Sequence, residues 1–211
     1  MAYTFSCWAV LFFSVFTVYA LPKLRTSDIK YPFPFYTKEM WGGKQTGDEP
    51  ISLPVPYVVI HHTAIPAACN TTRRCKADMR SMQNYHFSLG WSDIGYNFCV
   101  GSEGSAFEGR GWYNIGIHAG RANDFSIGIC LIGDWRVELP SAKQLETTKQ
   151  LIAIGLHLGV ISPDYKLIGH NQVMTTECPG GSLMEEISHW DNYVPGHIDF
   201  SPYMMNKANK L

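Results

Sequence analysis

Two adjacent histidines, a third histidine and a cysteine are the residues of this chain best suited to chemistry. His61 and His62 end an apolar run, Tyr57-Val58-Val59-Ile60. His170 and Cys178 follow a second, shorter one, Lys166-Leu167-Ile168. Zinc accepts imidazole nitrogen and thiolate sulfur. Three protein ligands with an open fourth position make a catalytic site, and four make a structural one. Adjacent residues on a strand face opposite ways, so only one of His61 and His62 can join His170 and Cys178. The pattern alone does not say which. Pro179-Gly180-Gly181 makes a turn that would hold the Cys178 side chain rigidly. As half of a disulfide, the same cysteine would carry no chemistry.

Tyr96 ends the segment Gly90-Trp91-Ser92-Asp93-Ile94-Gly95-Tyr96, a loop entering a strand. Its hydroxyl can donate to a developing oxyanion, or it can be an ordinary half-buried strand tyrosine. Glu108-Gly109-Arg110-Gly111-Trp112 is a glycine-flexed loop. It offers Arg110 for carboxylate recognition and Trp112 as a platform for a sugar or peptide, or else is a solvated loop with a packed tryptophan. There is no Gly-x-Ser-x-Gly elbow, no Walker-type loop and no dinucleotide-binding fingerprint, which takes weight from serine hydrolases, nucleotide-binding proteins and dehydrogenases.

The elements that must position these residues read as an alternation of strands and helices. Tyr57–Ile60 predicts a strand continuing into His61-His62-Thr63. Met79, Met82, His86 and Leu89 recur at helical spacing and predict a helix over Lys76–Leu89. Asn97–Val100 and Ala106–Glu108 read as a hairpin turning at Ser102-Glu103-Gly104. Ser126–Ile132 is continuously apolar, as a central buried strand is. Ser141 with Gln144 forms a capping box opening a helix that Gly159 closes. Ser182 with Glu185 predicts another, opening a helix toward Trp190. Interleaved strands and helices predict an α/β fold.

The 211 residues suit one domain, and 45% hydrophobic against 17% charged residues is a globular balance. Seventeen Lys and Arg against eighteen Asp and Glu leave no basic surplus for a nucleic-acid backbone. Residues 1–20 lack Asp, Glu, Lys and Arg, carry an apolar stretch from Trp8 to Val18 and end in Val18-Tyr19-Ala20, a small-residue cleavage site. They read as a secretory signal peptide, and no apolar run long enough to span a membrane follows. Residues 21–50 read as an extended lead-in, 51–195 as the functional domain and 196–211 as a C-terminal tail. Secretion permits disulfides among the five remaining cysteines. Asn70-Thr71-Thr72 is an N-glycosylation acceptor pattern at Asn70. Cys99 and Cys130 lie in apolar strand segments and read as buried free thiols, with a disulfide between them as the alternative.

Several segments match one family in order and spacing: Val59-Ile60-His61-His62-Thr63, Gly90 to Phe98, Glu108 to Trp112, Ser126 to Ile129, Gly169-His170-Asn171-Gln172 and Cys178-Pro179-Gly180. Over about Tyr57 to Trp190 the chain resembles the peptidoglycan recognition proteins, relatives of phage-type N-acetylmuramoyl-L-alanine amidases. Leu131 to Arg136 and Thr176 to Gly181 look most like the secreted insect LB-type amidases. The resemblance implies a single domain with a central mixed β-sheet flanked by about three α-helices. It implies Zn2+ held by His61, His170 and Cys178, and catalytic roles for Tyr96 and Thr176. It also implies a Cys69–Cys75 disulfide and a monomer that binds bacterial peptidoglycan and muropeptides. The bond cleaved would be the amide between the lactyl group of N-acetylmuramic acid and L-alanine. His86, Trp91, Arg110, His118 and Asn123 are the candidate groove residues. His62 should face away from the metal, and His157 on the long helix should be solvated or packed. Asn171 stands where the family commonly has arginine. The alternative is a receptor that binds without cutting, in which the cysteine is typically replaced. Retention of Cys178 favours the enzyme.

Overall fold

In the computed structural model, residues 26–47 and 49–208 are described, with side chains to 204. The signal-peptide segment lies outside them. Six strands form one mixed sheet: β1 (Phe35–Tyr36), β2 (Val55–His62), β3 (Phe98–Val100), β4 (Ala106–Glu108), β5 (Ser126–Leu131) and β6 (Ile161–Gly169). Their order is β1-β4-β3-β5-β2-β6. Only the β3–β4 hairpin is antiparallel. β2 lies between two parallel partners, and all but one of its eight residues are buried. Its β-branched run is what a strand covered on both faces requires.

The helices are α1 (Thr72–Ser88), α2 (Ala142–His157), α3 (Gly181–Ser188) and α4 (Ser201–Ala208). Leu151 and Ile152 of α2 and Leu183 and Ile187 of α3 pack with Val58, Ile60, Ile127 and Ile129 in the largest core cluster. A second cluster joins Cys75, Met79 and Met82 of α1 to Ile94, Cys99, Phe107 and Cys130. The sheet therefore separates α2 and α3 from α1, the layering expected of an α/β domain.

Several local expectations need adjustment. α1 begins four residues before Lys76, because the Thr71 hydroxyl accepts from the Arg74 N–H and caps the helix there. α2 keeps half of its expected box: the Ser141 hydroxyl accepts from the Gln144 N–H, but the Gln144 amide donates to the Val100 and Ile132 carbonyls instead of closing back on Ser141. The Ser182–Glu185 capping box does not form. α3 starts two residues earlier, with Gly180 at the cap, and the Ser182 hydroxyl donates instead to the Val137 carbonyl. β6 runs well beyond Lys166–Ile168. It takes in Ser162-Pro163-Asp164, because β6 is a sheet edge, where a proline can sit without breaking the ladder.

The ends of the chain also carry structure. The lead-in supplies β1 and Trp41, which is buried and donates its indole N–H to the Glu108 carbonyl. The tail carries α4, a fourth helix. Phe200, just before it, is buried against Tyr57, and the Tyr57 and Tyr203 hydroxyls are 3.2 Å apart. Cys69 and Cys75 form a disulfide joining the loop after β2 to the first turn of α1. Cys99 and Cys130 are free, buried and register partners across β3 and β5.

Candidate metal centre and active site

β2, β5 and β6 run parallel, so their C-terminal ends lie at one edge of the domain. Along β2, Tyr57, Val59 and His61 alternate onto one face, with Val58, Ile60 and His62 on the other. His61 is thereby aimed at the end of β6, where Gly169 gives way to a short 3-10 turn carrying His170. Gln172 holds that turn. Its side-chain oxygen accepts from the Gly169 N–H, and its amide donates to the carbonyls of Val194 and Gly196.

Cys178 reaches the same place from the following loop. Ligand atoms of His61, His170 and Cys178 all lie within 4.8 Å of one another. The His61 Nδ1 is 3.7 Å from the Cys178 sulfur. The His170 Nδ1 is buried and has no hydrogen-bond partner among the described residues. Each ring's other nitrogen is engaged: His61 Nε2 with His118 Nδ1 at 3.0 Å, and His170 Nε2 with the Met174 sulfur at 3.3 Å. His62 turns away. Its Nδ1 accepts from the Trp135 N–H, while its own backbone N–H donates to the Cys178 sulfur at 3.3 Å.

Electrostatics keep these groups uncharged. Burial, then the neighbouring imidazoles, holds His61 well below the usual histidine range. Burial, then the neighbouring His62, lowers His170 to about 4. Burial pushes the Cys178 thiol up to about 12, opposed by the His62 N–H. Neutral imidazoles present lone pairs, the form a cation needs.

Tyr96 and Thr176 border the same cavity of about 470 Å3, together with His62, Thr63, Ala64, His170, Glu177 and Cys178. The Tyr96 ring lies 5.3 Å from that of His61. Burial, then the nearby thiols of Cys130, Cys178 and Cys99, raises its pKa well above the ordinary value, so it remains a phenol and a donor. The Thr176 hydroxyl accepts from the Cys178 N–H at 3.2 Å, which leaves its own proton free to donate elsewhere.

The candidate groove residues separate. His86 stacks on Trp91 at 4.6 Å and lies 5.9 Å from the Tyr96 ring, which places that pair beside the cavity. None of the five candidate groove residues borders the cavity itself, and the His118 ring packs against His61. Arg110 is buried and donates to the Ile94 and Ile115 carbonyls and the Ser92 hydroxyl. The Asn123 carbonyl oxygen accepts from the N–H groups of His118 and Ala119. Trp112 is packed in the core rather than offered as a platform. Asn171 is exposed, so the departure there faces solvent. Asn70 is exposed immediately before the α1 cap.

Sequence reasoning quoted Gln172 within a matched segment without giving it a role, and missed Met174, because a thioether beside an imidazole carries no spacing signal.

Fold and site together define an α/β protein that gathers two imidazoles and a thiol at the ends of parallel strands, over an open cavity. A profile described as N-acetylmuramoyl-L-alanine amidase matches residues 52–181, and the chain belongs to that family. Peptidoglycan-recognition protein LB of Drosophila melanogaster is 52% identical over 147 residues, which cover 69% of this chain and 62% of that protein. The N-acetylmuramoyl-L-alanine amidase of Sus scrofa is 40% identical over 158 residues, 72% of this chain and 26% of that protein. The chain thus spans less than two thirds of either relative. A solved structure of a Drosophila LB mutant in complex with tracheal cytotoxin is 47% identical. It superposes with a TM-score of 0.75 over 76% of this chain and 96% of that one.

Proposed function

We propose that the protein is a secreted, zinc-dependent N-acetylmuramoyl-L-alanine amidase. It binds bacterial peptidoglycan and muropeptides and hydrolyses the amide between the lactyl group of N-acetylmuramic acid and L-alanine. The observation that carries this reading is the convergence of His61, His170 and Cys178, with the His170 Nδ1 buried and unpartnered. A buried acceptor without a partner is costly, and a cation facing it removes the cost. Two imidazoles and one thiol are a zinc donor set, and three protein ligands leave a position open. Zinc held by His61, His170 and Cys178 would supply Lewis acidity toward a carbonyl oxygen and toward water.

The chain's own residues do the rest. Tyr96, held as a phenol, donates its O–H to the oxygen that gains charge, and the Thr176 hydroxyl, on the same cavity, is a second donor. The His62 N–H donates to the Cys178 sulfur and favours its thiolate form. Trp91 and His86 wall the groove that takes the stem peptide. The Cys69–Cys75 disulfide suits an oxidising compartment, and exposed Asn70 is available for glycosylation there. Among the described residues, no helix is long and apolar enough to cross a membrane. The LB-like segments favour scavenging of immunostimulatory wall fragments, a role in innate immunity.

The test is to incubate purified protein with a diaminopimelate-type muropeptide, with and without a zinc chelator, and follow products by mass. Chelator-sensitive release of free stem peptide is expected. Tight binding without cleavage, in protein that contains zinc, would make it a receptor instead.

A further inference from the structure

We propose that His118 and Met174 are positioning residues. They hold the outer nitrogens of His61 and His170 so that both rings present Nδ1 to Cys178. This rests on the metal reading above.

An imidazole that gives one lone pair to a metal carries its proton on the other nitrogen. That N–H almost always donates to a partner, which fixes the tautomer and the ring plane. In His61 the outer nitrogen is Nε2, and the atom facing it at 3.0 Å is the Nδ1 of His118. The two rings meet nearly edge to face, 4.9 Å apart and at 83°. In His170 the outer nitrogen is again Nε2, and its partner is the Met174 thioether at 3.3 Å. Both inner nitrogens are then Nδ1 atoms, one 3.7 Å from the Cys178 sulfur and one buried without a partner.

His118 is built into place. The Asn123 side chain accepts from its backbone N–H. Its ring lies over two glycines: a Cβ on Gly128 would come within 2.6 Å of the His118 Nε2, and one on Gly116 within 2.9 Å. Side chains at either position would displace the ring. The ring is buried, does not line the cavity, and its Nε2 meets no partner among the described residues. One His118 ring nitrogen meets His61 and the other is enclosed.

Both acceptors are uncharged. A carboxylate in either place would pull on the N–H more strongly and make the ligand more basic. An imidazole and a thioether pull weakly, so less electron density reaches the metal. With a thiolate already among the ligands, that keeps the metal acidic enough to work.

The readouts are zinc affinity by chelator competition and the visible spectrum of the cobalt(II)-substituted protein, with thermal unfolding of the metal-free protein as a fold control. His118→Phe keeps a ring and removes the acceptor. It is expected to lower zinc affinity 10- to 100-fold, the usual effect of losing such a partner. His118→Asn puts an amide oxygen near the place of Nδ1 and is expected to recover most of that loss. His118→Gln moves the oxygen outward and is not. Met174→Leu should weaken zinc binding and Met174→Gln should restore it. Wild-type affinity and an unchanged cobalt spectrum in both His118→Phe and Met174→Leu would overturn the proposal. If His118→Phe fails to fold, equal affinities in His118→Asn and His118→Gln would overturn the His118 role. Failure of the unaltered protein to bind zinc or cobalt would instead overturn the metal reading on which this rests.

Discussion

Gly180 lies directly on the backbone of Trp135. A Cβ added to it would overlap the Trp135 carbonyl and come within 2.6 Å of the Arg136 N, and its φ of +96° is one that L side chains rarely adopt. The loop carrying Cys178 is thus pressed against the loop that follows β5. Leu183 N–H donates to the Trp135 carbonyl, and the exposed Arg136 guanidinium bridges Asp134 and Glu177 on the rim.

Gly180→Ala should therefore combine backbone strain with a clash that neither neighbour can relieve by rotating a side chain. The strain alone is worth about 1–3 kcal/mol. At about 2–4 °C per kcal/mol for a domain of this size, the melting temperature should fall by several degrees. Zinc affinity should fall with it, because Cys178 is displaced. Calorimetry and metal titration check both, and an unchanged melting temperature would show that the contact is not needed.

Tyr96→Phe removes the hydroxyl and leaves the ring. Losing one oxyanion donor costs about 2.7–4 kcal/mol of barrier, so turnover should drop about 10²- to 10³-fold. Zinc content should stay at the wild-type level, since Tyr96 is not a ligand. Near-normal turnover in the zinc-loaded variant would remove Tyr96 from the chemistry.

Cys178→Ser replaces a soft thiolate with a hydroxyl that stays protonated and binds zinc poorly. Metal and turnover should both be lost. Muropeptide binding, measured by calorimetry, should survive, because the groove walls are untouched. Full activity with bound zinc would contradict the ligand assignment.

The pH response of stability follows from His86. Burial, then the nearby Arg110 charge, lowers it from 6.5 to about 4, and its Nδ1 accepts from the Gly95 N–H, a bond that protonation removes. A histidine with a depressed folded pKa binds fewer protons than the unfolded chain between those values. Stability is therefore complete above pH 6.5 and falls as pH drops toward 4, by on the order of 3 kcal/mol from this group. Denaturant midpoints of metal-free protein across that window should show the slope, and His86→Gln should remove this group's share of it, with the buried His61 and His170 supplying the rest. A flat wild-type profile would exclude it.

Much of the site was legible because its chemistry is tied to residue type. Imidazole and thiol after two apolar strands already suggested a cation, and strand alternation already separated His61 from His62. The resemblance then chose between them. What escaped was set by packing rather than type. The strand read at Lys166–Ile168 extends back through Pro163, because a proline is tolerated on an edge strand. The Ser182–Glu185 pattern is a valid capping box, overruled because Gly180 docks on Trp135. Arg110 engages its guanidinium, and Asn123 its side-chain oxygen, in hydrogen bonds within the fold, which their residue types do not reveal. His118 looks the same in sequence whether it meets a ligand or another histidine.

The position of β2 between β5 and β6 has a consequence for biosynthesis. His61 and Tyr96 leave the ribosome early, but β6 comes from residues 161–169, and His170 and Cys178 emerge later still. Until then β2 has one open edge, and pairings this distant in sequence are slow to close. A nascent chain stopped before Ile161 holds one ligand of the proposed three and an exposed strand edge, the surface on which chaperones act. On the metal reading proposed above, capture of the ion would come after the sheet is closed, so a loaded centre would report a chain that has finished folding.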